Sequence, residues 1–243
     1  MWLKGLDITI TAEGLTAEAF APFGDVISNP SPDRLPSSVA LDTQPLPSNA
    51  VSANQGTAIQ YKNVSRPRNL YEEAPSGQGS PILSIFSCQA RQLELCSDKG
   101  LSRQLLIPLL ERHPFTTQTF TPIQSTASSY LVVVAPSLEP SSLDEHLLAP
   151  ATAMGGHPGR GLPDLRRIRA FLASSRQAVT YGAGTWHSPM ITLGQPKETL
   201  DFVVSQFASG VADEDCQIVQ LGPETSPRIA KVRIPVLEGR PKL

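Results

Sequence analysis

Short apolar stretches, repeatedly broken by turn residues, dominate the chain. Pro81 to Cys88 alternates in part between apolar and polar positions, and Thr117 to Ile123 is Thr-rich around Phe120 and Ile123. Tyr130-Leu131-Val132-Val133-Val134 is unbroken and rich in β-branched residues, the pattern of a strand covered on both faces. Further strands are predicted over Trp186 to Leu193, Phe202 to Phe207, Gln217 to Leu221 and Ile229 to Ile234. Helical signals are few. Thr16 to Phe23 reads as a short helix capped by Thr16 and ended by Pro22. Ser142-Leu143-Asp144-Glu145 has the form of a capping box and predicts a short helix to Leu148. Leu165, Ile168, Phe171 and Leu172 predict one apolar stripe on a helix over 164–173, with Arg166, Arg167 and Arg169 on its solvated faces.

Two segments read as loop. Asn29 to Asn54 is rich in Pro, Ser and Asn without sustained period. Met154 to Gly161 is Gly-rich but lacks the strand-to-helix setting and the Lys-Ser/Thr ending of a phosphate loop. No internal repeat is present. The expected fold is mainly β, an antiparallel barrel or sandwich with a few short peripheral helices, formed by residues 1–243 as a single domain.

Composition narrows the partners. Twenty Lys plus Arg against 22 Asp plus Glu leave a net charge of −2, with a pI near 6.1, so there is no basic footprint for nucleic acid or anionic lipid. No apolar run approaches a membrane span and no leader pattern opens the chain, so a soluble, cytoplasmic protein is expected. The terminal Pro241-Lys242-Leu243 is a variant of a peroxisomal address and makes peroxisomal import the alternative. Cys88, Cys96 and Cys216 have neither disulfide nor zinc spacing.

Histidine is scarce: His113, His146, His157 and His187. His146 and His157 fall in segments expected to be solvated. Glu111 and His113 are two apart at the start of a strand, so they share a face, while Arg112 points the other way and reads as a surface or interface cation. His187 follows a glycine turn beside Trp186. If the two strands face each other inside a barrel, His113 and His187 open into one cavity. Glu111-x-His113-x4-Gln118 with the later Gly184-x-x-His187 resembles the four-ligand metal pattern of cupin barrels. Glu replaces its first His and Gln its Glu, a mixed oxygen and nitrogen set that would hold Ni, Mn or Zn weakly, or no metal at all.

At these residues the chain resembles the ureidoglycolate lyase family, in its fungal branch. The resemblance is carried by Ala19 to Ile27, by Glu111-Arg112-His113-Pro114 with Gln118, Phe120 and Pro122, and by Arg169-Ala170-Phe171. Gln177 to Tyr181, Gly184 to Met190, Asp201 to Val204 and Asp215-Cys216 continue it. The family implies a cupin-like β-barrel, usually a homodimer, that splits ureidoglycolate into glyoxylate and urea in allantoin catabolism. Bacterial members carry a His and an Arg directly after the tyrosine, where this chain has Gly182 and Ala183.

That reaction needs a base for the hydroxyl proton and an acid for the departing nitrogen. The resemblance and the residue chemistry together assign Glu111 or His113 as the base and His187 as the acid. Gln118 and Tyr181, with Trp186 beside His187, would bind and orient the substrate. Arg169 and Lys62 are the candidate cations for its carboxylate. Two alternatives stay open: an amidohydrolase that releases ammonia, and a non-catalytic barrel that only binds a small hydroxy acid.

Overall fold

In the computed structural model the unbroken apolar run becomes the strand Ser129–Ala135, every residue of it buried. The structure describes residues 2–3, 8–38, 45–96, 102–123, 125–151, 158–221 and 230–235. His157, the Met154 end of the Gly-rich segment and the terminal Pro241-Lys242-Leu243 lie outside the described residues. Ser129–Ala135 pairs antiparallel with Arg169–Ser174 on one side, and with Trp186–His187 and Ile191–Leu193 on the other. Side chains on such a strand alternate between its faces. Leu131, Val133 and Ala135 enter one apolar cluster, and Tyr130, Val132 and Val134 enter a second.

These clusters define the layers. The strand belongs to an eight-stranded sheet with a four-stranded sheet against one face, contributing Leu105, Ile107, Val232 and Ile234. Against the other face lies a five-stranded sheet ordered Gly24–Ile27, Ala178–Tyr181, Gln118–Pro122, Thr199–Ala208 and Ser80–Gln89, which contributes Phe120, Val179, Phe202 and Val204. Each such side chain, fully buried, favours the fold by about 1.5–3 kcal/mol. The mainly-β expectation therefore holds. Among the described residues, however, the eight-stranded sheet runs from Trp2–Leu3 at one edge to Glu13–Gly14 at the other, and no closed barrel forms. No helix among the described residues is long and apolar enough to cross a membrane.

The helix expected over 164–173 is not formed. Asp164 caps a single 3-10 turn, Leu165–Arg167, and Arg169–Ser174 is a strand. Its apolar positions belong to two covered faces rather than one stripe, because Ala170 enters the first cluster and Phe171 the second. The capping box near 142 is real but lies one residue earlier: Ser141 caps the 3-10 turn Ser142–Asp144, and Asp144 caps back to the Ser141 amide. Leu143 is 64% exposed, so the turn has no apolar face with which to propagate into a helix. Ala17–Phe20 is helical, with Thr16 as its N-cap.

Two strand boundaries also differ. The expected loop to Asn54 ends in a hairpin, Ala50–Ala53 paired with Ala58–Tyr61, across a turn in which Asn54, Gln55 and Gly56 all have positive φ. The stretch from Trp186 to Leu193 is two strands broken at Pro189, which lacks an amide proton for the ladder.

Candidate functional site

The strand Leu109–Arg112 turns Leu110 into the first apolar cluster and Glu111 to the opposite face. Its antiparallel neighbour Trp186–His187 sets His187 directly opposite Glu111. The two imidazole segments are thus adjacent in one sheet rather than facing each other across a barrel. Gly184, at φ 77°, lets the preceding turn bring its amide to the His113 carbonyl at 2.8 Å.

The result is a tight cluster. His187 Nε2 lies 3.7 Å from Glu111 Oε1, the rings of His113 and His187 have centroids 5.5 Å apart, and Tyr181 stacks on His187 at 4.0 Å. Each imidazole uses Nδ1 on a backbone carbonyl, His113 on Asp215 at 2.6 Å and His187 on Thr185 at 2.8 Å. A carbonyl accepts only from N–H, so Nδ1 carries the proton and Nε2 presents a lone pair. Both Nε2 atoms and Gln118 Oε1 are buried without a hydrogen-bond partner.

Burial sets the proton affinities. It lowers the His113 imidazole below its ordinary value and holds His187 down to about 3, with neighbouring His113 adding to the effect. It raises the Glu111 carboxyl. Both rings are therefore neutral lone-pair donors near pH 7, which suits ligation or accepting a proton, not the acid role expected of His187. Glu111, His113 and His187 present ligand atoms all within 4.8 Å of one another. With Nδ1–H fixed on carbonyls and Nε2 free, this donor set fits a divalent cation.

A cavity of about 300 Å³ opens onto the cluster between the eight- and five-stranded sheets. Glu111, His113 and Gln118 line it, together with Cys88, Met190 and Gln206. Glu111 keeps 21% of its side chain exposed against 2% for His187, so Glu111 and His113 meet a ligand while His187 stands behind them. No lysine or arginine among the described residues lines this cavity.

The remaining expected residues are elsewhere. Trp186 points away from His187, as neighbours on a strand must, and is wholly buried with its indole N–H on the Gly161 carbonyl at 2.9 Å. Tyr181 stacks the face of its ring on His187 and is not among the residues lining the cavity. Arg169 is paired with Glu13 at 2.6 Å, and Lys62 is exposed near the Ala58–Tyr61 strand. Neither lines the cavity. Gly182 and Ala183 line a separate cleft of about 640 Å³ that holds Arg66 and Arg68 but no member of the cluster.

Arg112 is the largest correction. It faces away from Glu111 as expected, yet it is fully buried rather than at the surface. Its guanidinium donates to Gln217 Oε1 and to the carbonyls of Leu148, Gly159, Arg160 and Gly161, and stacks 4.5 Å from the Trp186 ring. Gly161 itself lies against the Leu138 backbone, where a Cβ would sit 1.7 Å from the Leu138 carbonyl oxygen. Alternation along the strand predicts the direction of Arg112 but not the segment folded over it.

Comparison with known proteins now settles the family. The ureidoglycolate lyase family model matches residues 7–227. The chain belongs to that family. It is 36% identical over 211 residues to a ureidoglycolate lyase of Schizosaccharomyces pombe, covering 86% of this chain and 90% of the relative. A Saccharomyces cerevisiae ureidoglycolate lyase is 35% identical over 209 residues, 83% of this chain and 87% of the relative. One from Burkholderia mallei is 31% identical over 196 residues, 81% of each. Within a ureidoglycolate lyase family member, Gln206, Cys88 and the Asp215 carbonyl are site features that sequence reading missed. For Gln206 a signal existed: it is an amide in step with the inward-facing Phe202 and Val204.

Proposed function

We propose that this protein is a ureidoglycolate lyase, cleaving ureidoglycolate into glyoxylate and urea. The observation that supports it most is the clustering of Glu111, His113 and His187, with Glu111 and His113 open to one cavity, in a chain of this family. The substrate carries a hydroxyl and a ureido nitrogen on one carbon. Glu111 takes the hydroxyl proton at a carboxylate oxygen, the oxygen's electron pair forms the aldehyde, and the C–N pair leaves with nitrogen. The same carboxyl then returns that proton to the departing nitrogen, so no net proton is consumed. Desolvation favours this double role by raising the proton affinity of Glu111 towards the working pH. His113 accepts a hydrogen bond from the substrate at Nε2, and His187 buttresses Glu111 from behind. Acid and base are then one group beside two imidazoles, not two groups on opposite walls.

The same donor atoms of Glu111, His113 and His187 would hold a divalent ion such as Ni, Mn or Zn. Such an ion supplies positive charge that favours the ionised hydroxyl and the substrate carboxylate. A homodimer belongs to the same proposal. The ten-residue strand Ser80–Gln89 ends the five-stranded sheet with Leu83 75% and Ile85 63% exposed, an edge that a second copy would cover.

The test is product analysis with purified protein and ureidoglycolate, before and after chelation. Urea and glyoxylate in equal amounts are expected. Ammonia in place of urea would establish the amidohydrolase instead, and binding without turnover the non-catalytic reading.

A further inference from the structure

We infer that Gln118 and Gln206 form a two-amide dock for the ureido group, with Gln206 as a specificity-determining residue. This rests on the lyase reading above. The two side chains come from neighbouring strands, Gln118–Pro122 and Thr199–Ala208, one step beyond the Thr119–Ser205 pair. Gln118 Nε2 donates to Gln206 Oε1 at 2.6 Å, and both residues line the cavity. Gln118 Oε1 is left buried and unpartnered, in a residue only 5% exposed. Around them the walls are apolar, with Phe86, Phe120, Met190 and Val204 in the same lining.

The pair offers a fixed combination. One amide–amide bond uses one carbonyl and one NH2, which leaves one carbonyl oxygen and one NH2 for a ligand. Turning both amides end for end exchanges their roles but preserves that outward set, so the conclusion does not depend on how oxygen and nitrogen are assigned. A ureido group is complementary, with N–H donors beside one carbonyl acceptor. A hydroxy acid that lacks it leaves the buried carbonyl unpaired, the kind of mismatch a polar site rejects most strongly.

The experiment measures binding without turnover. Calorimetry compares hydantoate, which carries the ureido and carboxylate groups but no hydroxyl, with glycolate, which carries the hydroxyl and carboxylate but no ureido group. Gln206→Glu keeps an acceptor for Gln118 and removes the outward donor; Gln206→Met removes both. Hydantoate binding should weaken at least about fivefold in each variant, with glycolate binding within about twofold of wild type. Equal losses for both ligands, or no loss for either, overturn the dock. If Gln206→Met fails to fold, Gln206→Glu alone decides. A wild-type enzyme that releases urea yet binds hydantoate no better than glycolate overturns the dock and leaves the reaction standing. Hydantoate binding that depends on Gln206, without urea release, overturns the reaction and leaves the dock standing.

Discussion

Acidification from pH 7 to 5 should destabilise this protein through His187, and a single substitution isolates the effect. The ring is buried and neutral, with its protonation held down to about 3, whereas in an unfolded chain it titrates near its ordinary value of 6.5. Because the folded value is the lower one, the stabilising contribution is complete above the unfolded value and is lost as pH falls towards the folded one. At pH 5 the unfolded chain takes up a proton that the folded chain refuses across 1.5 pH units, a loss of about 2 kcal/mol. For a chain of this length that corresponds to roughly 4–8 °C in Tm. His113 shifts the same way and adds to the loss, while Glu111, with a raised folded value, opposes it. The differential with His187→Gln removes those shared contributions. The assay is urea denaturation at pH 7 and pH 5 with chelator present, followed by tryptophan fluorescence. Wild type should lose about 2 kcal/mol more than the variant between the two pH values. Identical losses would refute the claim that this imidazole is buried neutral.

Four further outcomes follow from the same geometry. Glu111→Gln should lower urea release at least roughly a hundredfold while leaving the fold intact, and His113→Asn should do likewise; near-normal turnover in both contradicts the assignment. Arg112→Met strips hydrogen bonds from four buried or half-buried carbonyls and from Gln217, so a loss of about 3 kcal/mol or more is expected in denaturant titration. Asp215 accepts from Tyr71, Ser209 and Gly210 while its carbonyl fixes His113 Nδ1. In Asp215→Ala, nitrogen-15 spectra should show His113 losing its single tautomer; a wild-type ring pattern counts against that role. Leu83→Lys with Ile85→Lys should convert a dimer to monomer by light scattering if the Ser80–Gln89 edge is the interface.

Much of this architecture is legible where local pattern and burial coincide. Tyr130 to Val134 could be read as a doubly covered strand because both faces are apolar, and that remains true whatever covers them. Leu165 to Leu172 could not, since a short apolar stretch satisfies a helical stripe and a two-faced strand equally, and only pairing with Ser129–Ala135 decides. The same limit governs the site. A two-residue period places Glu111 with His113 and sets Arg112 against them, but says nothing of Leu148 and Gly159 to Gly161, whose carbonyls surround Arg112. The meeting of Glu111 with His187 is a register fact between positions far apart in sequence. Gln206 gains meaning only once its strand lies beside Gln118, and Trp186 loses its expected role by the same alternation that gives His187 one.

The cluster also carries an energetic cost that identifies what it binds. His113 Nε2 and His187 Nε2 are two acceptors held buried and unpartnered beside a carboxylate. Each such atom costs the fold roughly 1–3 kcal/mol. Backbone carbonyls of Asp215 and Thr185 lock both rings in the tautomer that keeps Nε2 bare, so the rings cannot relieve the cost by turning their N–H groups inward. Only a species rich in donors or positive charge can do so, which excludes a simple anion and favours a substrate with hydroxyl and ureido protons, or a divalent ion. Any such ligand binds the folded chain alone and must raise its stability. Thermal denaturation should therefore shift upward with hydantoate and not with acetate, and the shift should shrink in His113→Asn. An equal response to acetate would mean that the cavity attracts anions and that the lone pairs do not govern its selectivity.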